Sequence, residues 1–171
     1  LLCRVFTGSV SAQNVDYLSS TLWSGIYDVK VVDNYAYCAF KNGLVILDVT
    51  DQENPVLISQ LYCQGEGFVI DVAGDYALLG TTGHGLHIIN ISESSNPELI
   101  FSYNEVPWMS DICIRGNYAY LSAGFWGGGL KILDITDPSN PTLIGEGVGG
   151  RSDVFVAGDY AYTNSHFDDH G

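Results

Sequence analysis

Positive charge is scarce in this chain. Six lysines and arginines stand against twenty aspartates and glutamates over 171 residues, a net charge of −14. The cations are Arg4, Lys30, Lys41, Arg115, Lys131 and Arg151. Nucleic-acid recognition needs Lys and Arg gathered against phosphate, so this composition excludes it. It equally disfavours an anionic membrane surface, and suits cations or basic partners. Long apolar runs are missing too. No stretch approaches the roughly 18 residues expected of a membrane-spanning helix. The four cysteines (Cys3, Cys38, Cys63, Cys113) form no CxxC pair, which argues against a disulfide framework at this length. Cys38 and Cys113 fall in apolar strand patterns and read as small buried hydrophobes. No segment keeps a 3.6-residue period, so helix is not expected. No GxSxG, P-loop or HExxH motif is present.

The chain nonetheless has ample material for a core. Apolar residues make up 46% and charged ones 15%, enough to offset chain entropy and exclude a disordered segment. Within this composition lies a repeat. Tyr35-Ala36-Tyr37 returns as Tyr76-Ala77-Leu78, Tyr118-Ala119-Tyr120 and Tyr160-Ala161-Tyr162. The tyrosines stand 41, 42 and 42 residues apart. Gly43-Leu44, Gly85-Leu86 and Gly129-Leu130 follow in step, and so do Asn54-Pro55, Asn96-Pro97 and Asn140-Pro141. A fixed period of this size signals a stacked repeat architecture.

Each unit divides into four short strands, in the first unit about 28–32, 35–40, 44–49 and 56–62, on β-branched and aromatic enrichment. Asp33-Asn34, Gly74-Asp75, Gly116-Asn117 and Gly158-Asp159 supply positive-φ residues for tight hairpins. Asn-Pro pairs begin the outer strand, where no donor is needed. Runs such as Leu44-Val45-Ile46-Leu47 are apolar on both faces, unlike a sheet with one wet side. Radially stacked four-stranded blades bury both faces. The expected fold is therefore all-β: an open arc of a β-propeller with antiparallel blades over 26–67, 68–110 and 111–152. Partial blades flank them, an outer strand at 15–24 and a piece at 153–171. The rest of the ring would lie elsewhere in a longer chain. The rival arrangement is a four-bladed ring in which 15–23 completes the blade begun by 153–171. Residues 1–13 stand apart from the propeller segment at 14–171. Val10-Ser11-Ala12 before Gln13 has the small residues of an export cleavage site, although Arg4 interrupts the apolar stretch. An irregular lead explains it equally.

The pattern Asp111-Ile112-Cys113-Ile114-Arg115-Gly116-Asn117-Tyr118-Ala119-Tyr120, followed by Gly129-Leu130-Lys131-Ile132-Leu133-Asp134-Ile135-Thr136-Asp137-Pro138-Ser139-Asn140-Pro141, resembles the LVIVD repeat family. The likeness spans about residues 26–171. It implies a β-propeller of bacterial or archaeal exported or cell-surface proteins, mostly without assigned activity. The second copy departs from the pattern, with Val69 where the others have Asp28, Asp111 and Asp153.

Function is expected on the variable loops of one face, since loops on a rigid scaffold carry binding groups. Trp108, Phe125, Trp126 and His84 lie there and suggest contact with a protein or a glycan. They serve equally as lids over the core. Asp28, Asp111 and Asp153 would gather at the channel mouth, where carboxylates can hold Ca²⁺; the plainer reading has each accept backbone N–H bonds in its own turn. His166, Asp168, Asp169 and His170 offer imidazole and carboxylate to a metal without a strict spacing. The acidic connections Asp48–Glu53 and Asp134–Asp137 read as Asx turns on the other face. Three functions follow as expectations: a non-catalytic interaction scaffold at the cell surface, a propeller hydrolase or lyase with a cation at the channel mouth, or a structural spacer.

Overall fold

The computed structural model describes residues 25–106, 108–123, 129–147 and 153–164. These hold fourteen strands and no helix. The first blade is β1 (Ile26–Val32), β2 (Tyr35–Phe40), β3 (Gly43–Asp48) and β4 (Val56–Tyr62). The second is β5 (Glu66–Ala73), β6 (Tyr76–Thr82), β7 (Gly85–Asn90) and β8 (Glu98–Tyr103). The third is β9 (Met109–Arg115), β10 (Tyr118–Ala123), β11 (Gly129–Asp134) and β12 (Thr142–Gly147). Strands β13 (Val154–Ala157) and β14 (Tyr160–Thr163) pair as a hairpin beside the third blade. Each blade is an antiparallel meander in chain order. The outer strand expected at 15–24 lies outside the described residues.

The hairpin between first and second strands has one geometry in every copy. Asp33, Gly74, Gly116 and Gly158 have φ of 52°, 55°, 56° and 56°. One positive φ at the first of two turn residues fits a type II′ hairpin, whose twist matches that of the strands. The longer third connections close with Asx turns, as the sequence suggested. Asp48 Oδ1 accepts from Thr50 N at 2.8 Å, Asn90 Oδ1 from Ser92 N at 3.0 Å and Asp134 Oδ1 from Thr136 N at 2.8 Å. Hydrogen bonds from the Thr50 and Thr136 side chains, and then these backbone bonds, hold the Asp48 and Asp134 carboxyls below their ordinary value.

Blades stack through two apolar layers. Tyr37, Ala39, Leu44 and Ile46 of the first blade meet Ile70, Val72, Leu79 and Ile89 of the second. Leu78, Leu86 and Ile88 on the other side of the second blade meet Ile112, Ile114, Leu121 and Leu133 of the third. Burying each such side chain contributes ~1.5–3 kcal/mol before entropy is counted. This explains the weak alternation of the strands: odd and even positions both face a neighbour. Val29 and Val31 show the converse. They occupy the places of Ile70 and Val72 in the next blade, yet remain exposed.

The inner strands differ from expectation in one respect. They begin at Ile26, Glu66 and Met109, ahead of the aspartate landmarks that seemed to open them. The register jumps at one place in each: Ile26 faces Phe40 but Asp28 faces Ala39, Gly67 faces Thr81 but Val69 faces Gly80, and Met109 faces Ala123 but Asp111 faces Ser122. Each jump is a β-bulge, with Tyr27, Phe68 or Ser110 as the extra residue. Period-2 reading cannot see an inserted residue, because the bulge breaks the very alternation on which it relies.

Candidate functional site

The innermost strand of a blade is a sheet edge, with N–H and C=O groups pointing away from the ladder. Aspartates close this edge across the blade boundary. Asp28 accepts from Val29 N at 2.8 Å and from Ile70 N of the second blade at 2.9 Å. Asp111 accepts from Ile112 N at 2.9 Å and from Val154 N at 2.8 Å. Asp71 does the same one pleat further along, with Val72 N at 2.9 Å and Ile114 N of the third blade at 2.7 Å. Each carboxylate thus ties its own strand to the next. Asp28 and Asp111 do accept backbone N–H bonds, but within a strand rather than a turn, and their second oxygen joins two blades.

Asp71 also answers the departure at Val69. The register places Val69 opposite Gly80, whereas Asp28 faces Ala39 and Asp111 faces Ser122. A Cβ on Gly80 would come within 2.6 Å of Val69 Cγ1, so valine fills space that glycine leaves. The carboxylate moves to Asp71, two residues on and on the same side of the strand. There it is buried and ion-pairs with Lys30 Nζ at 2.6 Å. Asp71 is not legible from the repeat, because its column holds Lys30 and Cys113 in the neighbouring copies. The available signal was a lone Asp within the apolar run of β5, two residues past the valine.

Asp153 takes a different partner, accepting from Asn164 Nδ2 at 3.2 Å. Asp111 is held above the ordinary carboxylate value by burial, partly offset by its two N–H bonds; the charges of Asp153 and Asp28 push it the same way as burial. Among the described residues no three His, Cys, Asp or Glu side chains come together as a metal site. His166 and Asp168, Phe125 and Trp126 lie outside the described residues.

The face that carries these aspartates also carries exposed aromatics. Lys41 N donates to Gly25 O and Cys63 N to Asn42 O, both at 2.9 Å. These bonds bring the β2–β3 turn, the β4–β5 connection and the start of β1 to one end of the blades. Trp108 is half exposed (50%) just before β9. Tyr27 and Phe68, which sequence reasoning did not single out, are turned outward by their bulges at 48% and 44% exposure. Their ring centroids are 5.6 Å apart, tilted by 35°. Tyr27 and Phe68 are in ring contact and Trp108 is exposed just before the next blade's inner strand, so the three mark an aromatic rim at this end of the blades. His84 lies exposed on the β6–β7 turn of the same face, its ring beside Gly65.

His87 is the other group that sequence reading passed over. It is buried within the apolar run of β7, where Val45 and Lys131 stand in the neighbouring copies. Its Nε2 lies 2.9 Å from the Gln64 carbonyl and its Nδ1 2.9 Å from Ser102 Oγ. A carbonyl only accepts, so Nε2 carries the proton and Nδ1 accepts from the serine. The neutral ring fastens the connection leading to Phe68. Burial pushes its pKa below 6.5. A depressed histidine contributes stability above the ordinary value and loses it as pH falls below. Thermal melts at pH 7.5 and pH 5.5 are therefore expected to differ more for the native chain than for His87→Gln; equal differences would contradict a buried ring held neutral.

Four-stranded antiparallel blades stacked face to face, with bulged inner strands, define a β-propeller segment. The LVIVD repeat matches the chain three times, at residues 26–62, 65–105 and 109–146. These matches cover well over half of the sequence, and the chain belongs to the LVIVD repeat family. No curated protein sequence matches it. Among solved structures, the computationally designed Ika4 protein superposes with a TM-score of 0.64 at 12% identity, covering 88% of this chain and 90% of that one. The N-terminal domain of Nup159 gives 0.54 at 6% identity, over 87% of this chain and 41% of that one. Likeness at such identities speaks for the fold alone.

Proposed function

We propose that this segment is a non-catalytic interaction module, displayed at the cell surface or secreted, that holds a partner on its aromatic rim. The carrying observation is the exposure of Tyr27, Phe68 and Trp108 on one face of a rigid scaffold. Apolar rings on a rim are paid for by a partner that covers them. The ionisable groups nearby support binding over chemistry, since Asp28, Asp71 and Asp111 each give both oxygens to backbone N–H groups. Placement outside the cell draws its support from the family resemblance and from the small residues at Val10-Ser11-Ala12. The hydrolase or lyase reading draws on one observation, the raised pKa of Asp111.

The test is binding of the purified chain to arrayed proteins, peptides and glycans, repeated with Trp108→Ala. Binding should be retained by the native chain and fall about tenfold in the variant, whose melting temperature should stay within about 2 °C because surface changes cost little. Indifference of every retained contact to Trp108→Ala would sink the assignment of the rim. If EDTA lowered the melting temperature and Asp111→Asn reproduced the shift, the cation-dependent reading would displace this one.

A further inference from the structure

We infer that the rim takes a basic segment of a partner protein, its arginine or lysine heads lying against Tyr27, Phe68 and Trp108. This rests on the rim being the interaction surface, and it names the partner's chemistry. Two independent features converge. The first is the aromatic set. A bulge re-aims one side chain, and here it turns two consecutive blades' extra residues outward as rings with centroids 5.6 Å apart. Cations bind aromatic faces and edges of several orientations, and guanidinium also stacks on them.

The second feature is charge. The chain carries −14 overall, and its two lysines near the first two blades' inner strands are already engaged. Lys41 pairs with Glu66 at 3.6 Å and Lys30 with Asp71 at 2.6 Å. Asp28 and Asp111 directly follow the bulge residues of their strands, and Asp111 feels the charges of Asp153 and Asp28, so carboxylates gather at the end of the blades that carries the rings. A neutral glycan would use the rings and gain nothing from that charge. A basic peptide gains from both, with the charge speeding encounter and the rings setting position.

Ser110 occupies the same bulge in the third blade, so serine is compatible with this backbone. The test is titration calorimetry of the full chain with an acetylated, amidated peptide of alternating arginine and glycine. A citrulline counterpart, equal in shape and uncharged, serves as control. The native chain should bind the arginine peptide, more weakly as salt rises, and ignore the citrulline one. Tyr27→Ser with Phe68→Ser leaves net charge unchanged and should weaken binding about tenfold. If that double variant fails to fold, Trp108→Ser should give a loss of the same direction. Equal affinity in the folded variants would mean that long-range charge alone attracts the peptide, and would overturn the proposal. So would absence of binding, or equal binding of the citrulline peptide. Retention of neutral glycans with indifference to the arginine peptide would leave the rim an interaction surface but reject this partner.

Discussion

Asp71→Ala is expected to lower stability by about 3 kcal/mol, from two hydrogen bonds to a charged acceptor at ~1.5–3 kcal/mol each, less what water recovers. Asp71 is only 6% exposed, and its removal strands the N–H groups of Val72 and Ile114 on an edge with no other strand. Lys30 matters less. It is 45% exposed, so it returns to water, and Lys30→Met should cost under about 1 kcal/mol. Asp71→Asn should fall between, keeping one acceptor oxygen but presenting N–H to N–H at the other. In melting temperature the alanine change is worth about 6–12 °C for a chain of this size. Differential scanning fluorimetry of the three variants checks the order. Equal losses for Lys30→Met and Asp71→Ala would show that the ion pair, not the backbone bonds, is what matters.

Gly85→Ala should be at least as damaging, at about 4 kcal/mol, the range reserved for changes with a named structural cause. Gly85 has φ of +77°. A Cβ there would run into the Tyr103 carbonyl and lie 3.0 Å from Asn104 Cα. Both are backbone and cannot swing aside, so β7 and β8 must part where they lead into the loop face. Gly74 provides the contrast, with φ of +55° and nothing within 4 Å of an added Cβ. Gly74→Ala carries only left-handed strain, roughly 1–2 kcal/mol. Urea denaturation of the pair should separate them clearly. Near-equal midpoints would mean that the strand ends yield to the added carbon.

Much of the fold was legible because the repeat states it four times. The Tyr-Ala-Tyr landmarks mark the second strands, the turn pairs carry the positive φ, and the Asn-Pro pairs start the outer strands at Val56, Glu98 and Thr142 or one residue before. What stayed hidden depends on inserted or displaced residues. Tyr27 falls just ahead of the inner strand expected at 28–32, and Phe68 holds the same place in the second copy; the strands start earlier, at Ile26 and Glu66, and the bulge turns both residues outward. Asp71 has no counterpart in its column, which holds Lys30 and Cys113 in the other blades, and its role follows from Gly80, which lets Val69 take the usual aspartate place. His87 looked like a stray polar residue in an apolar run, since its partners come from Gln64 and Ser102, 23 and 15 residues away. Trp108 was legible as a loop aromatic; its company on the rim was not.

The claim that joins these parts is that the inner aspartates bind blades to one another, which leaves the rim aromatics to bind the partner. Amide hydrogen exchange of Ile70, Ile114 and Val154 measures it directly. These three N–H groups, on edge strands, are predicted to be protected in the native chain. Asp71→Ala should release Ile114 while leaving Ile70 and Val154 protected. Fast exchange of all three in the native chain, or loss of all three together in the variant, would contradict the account.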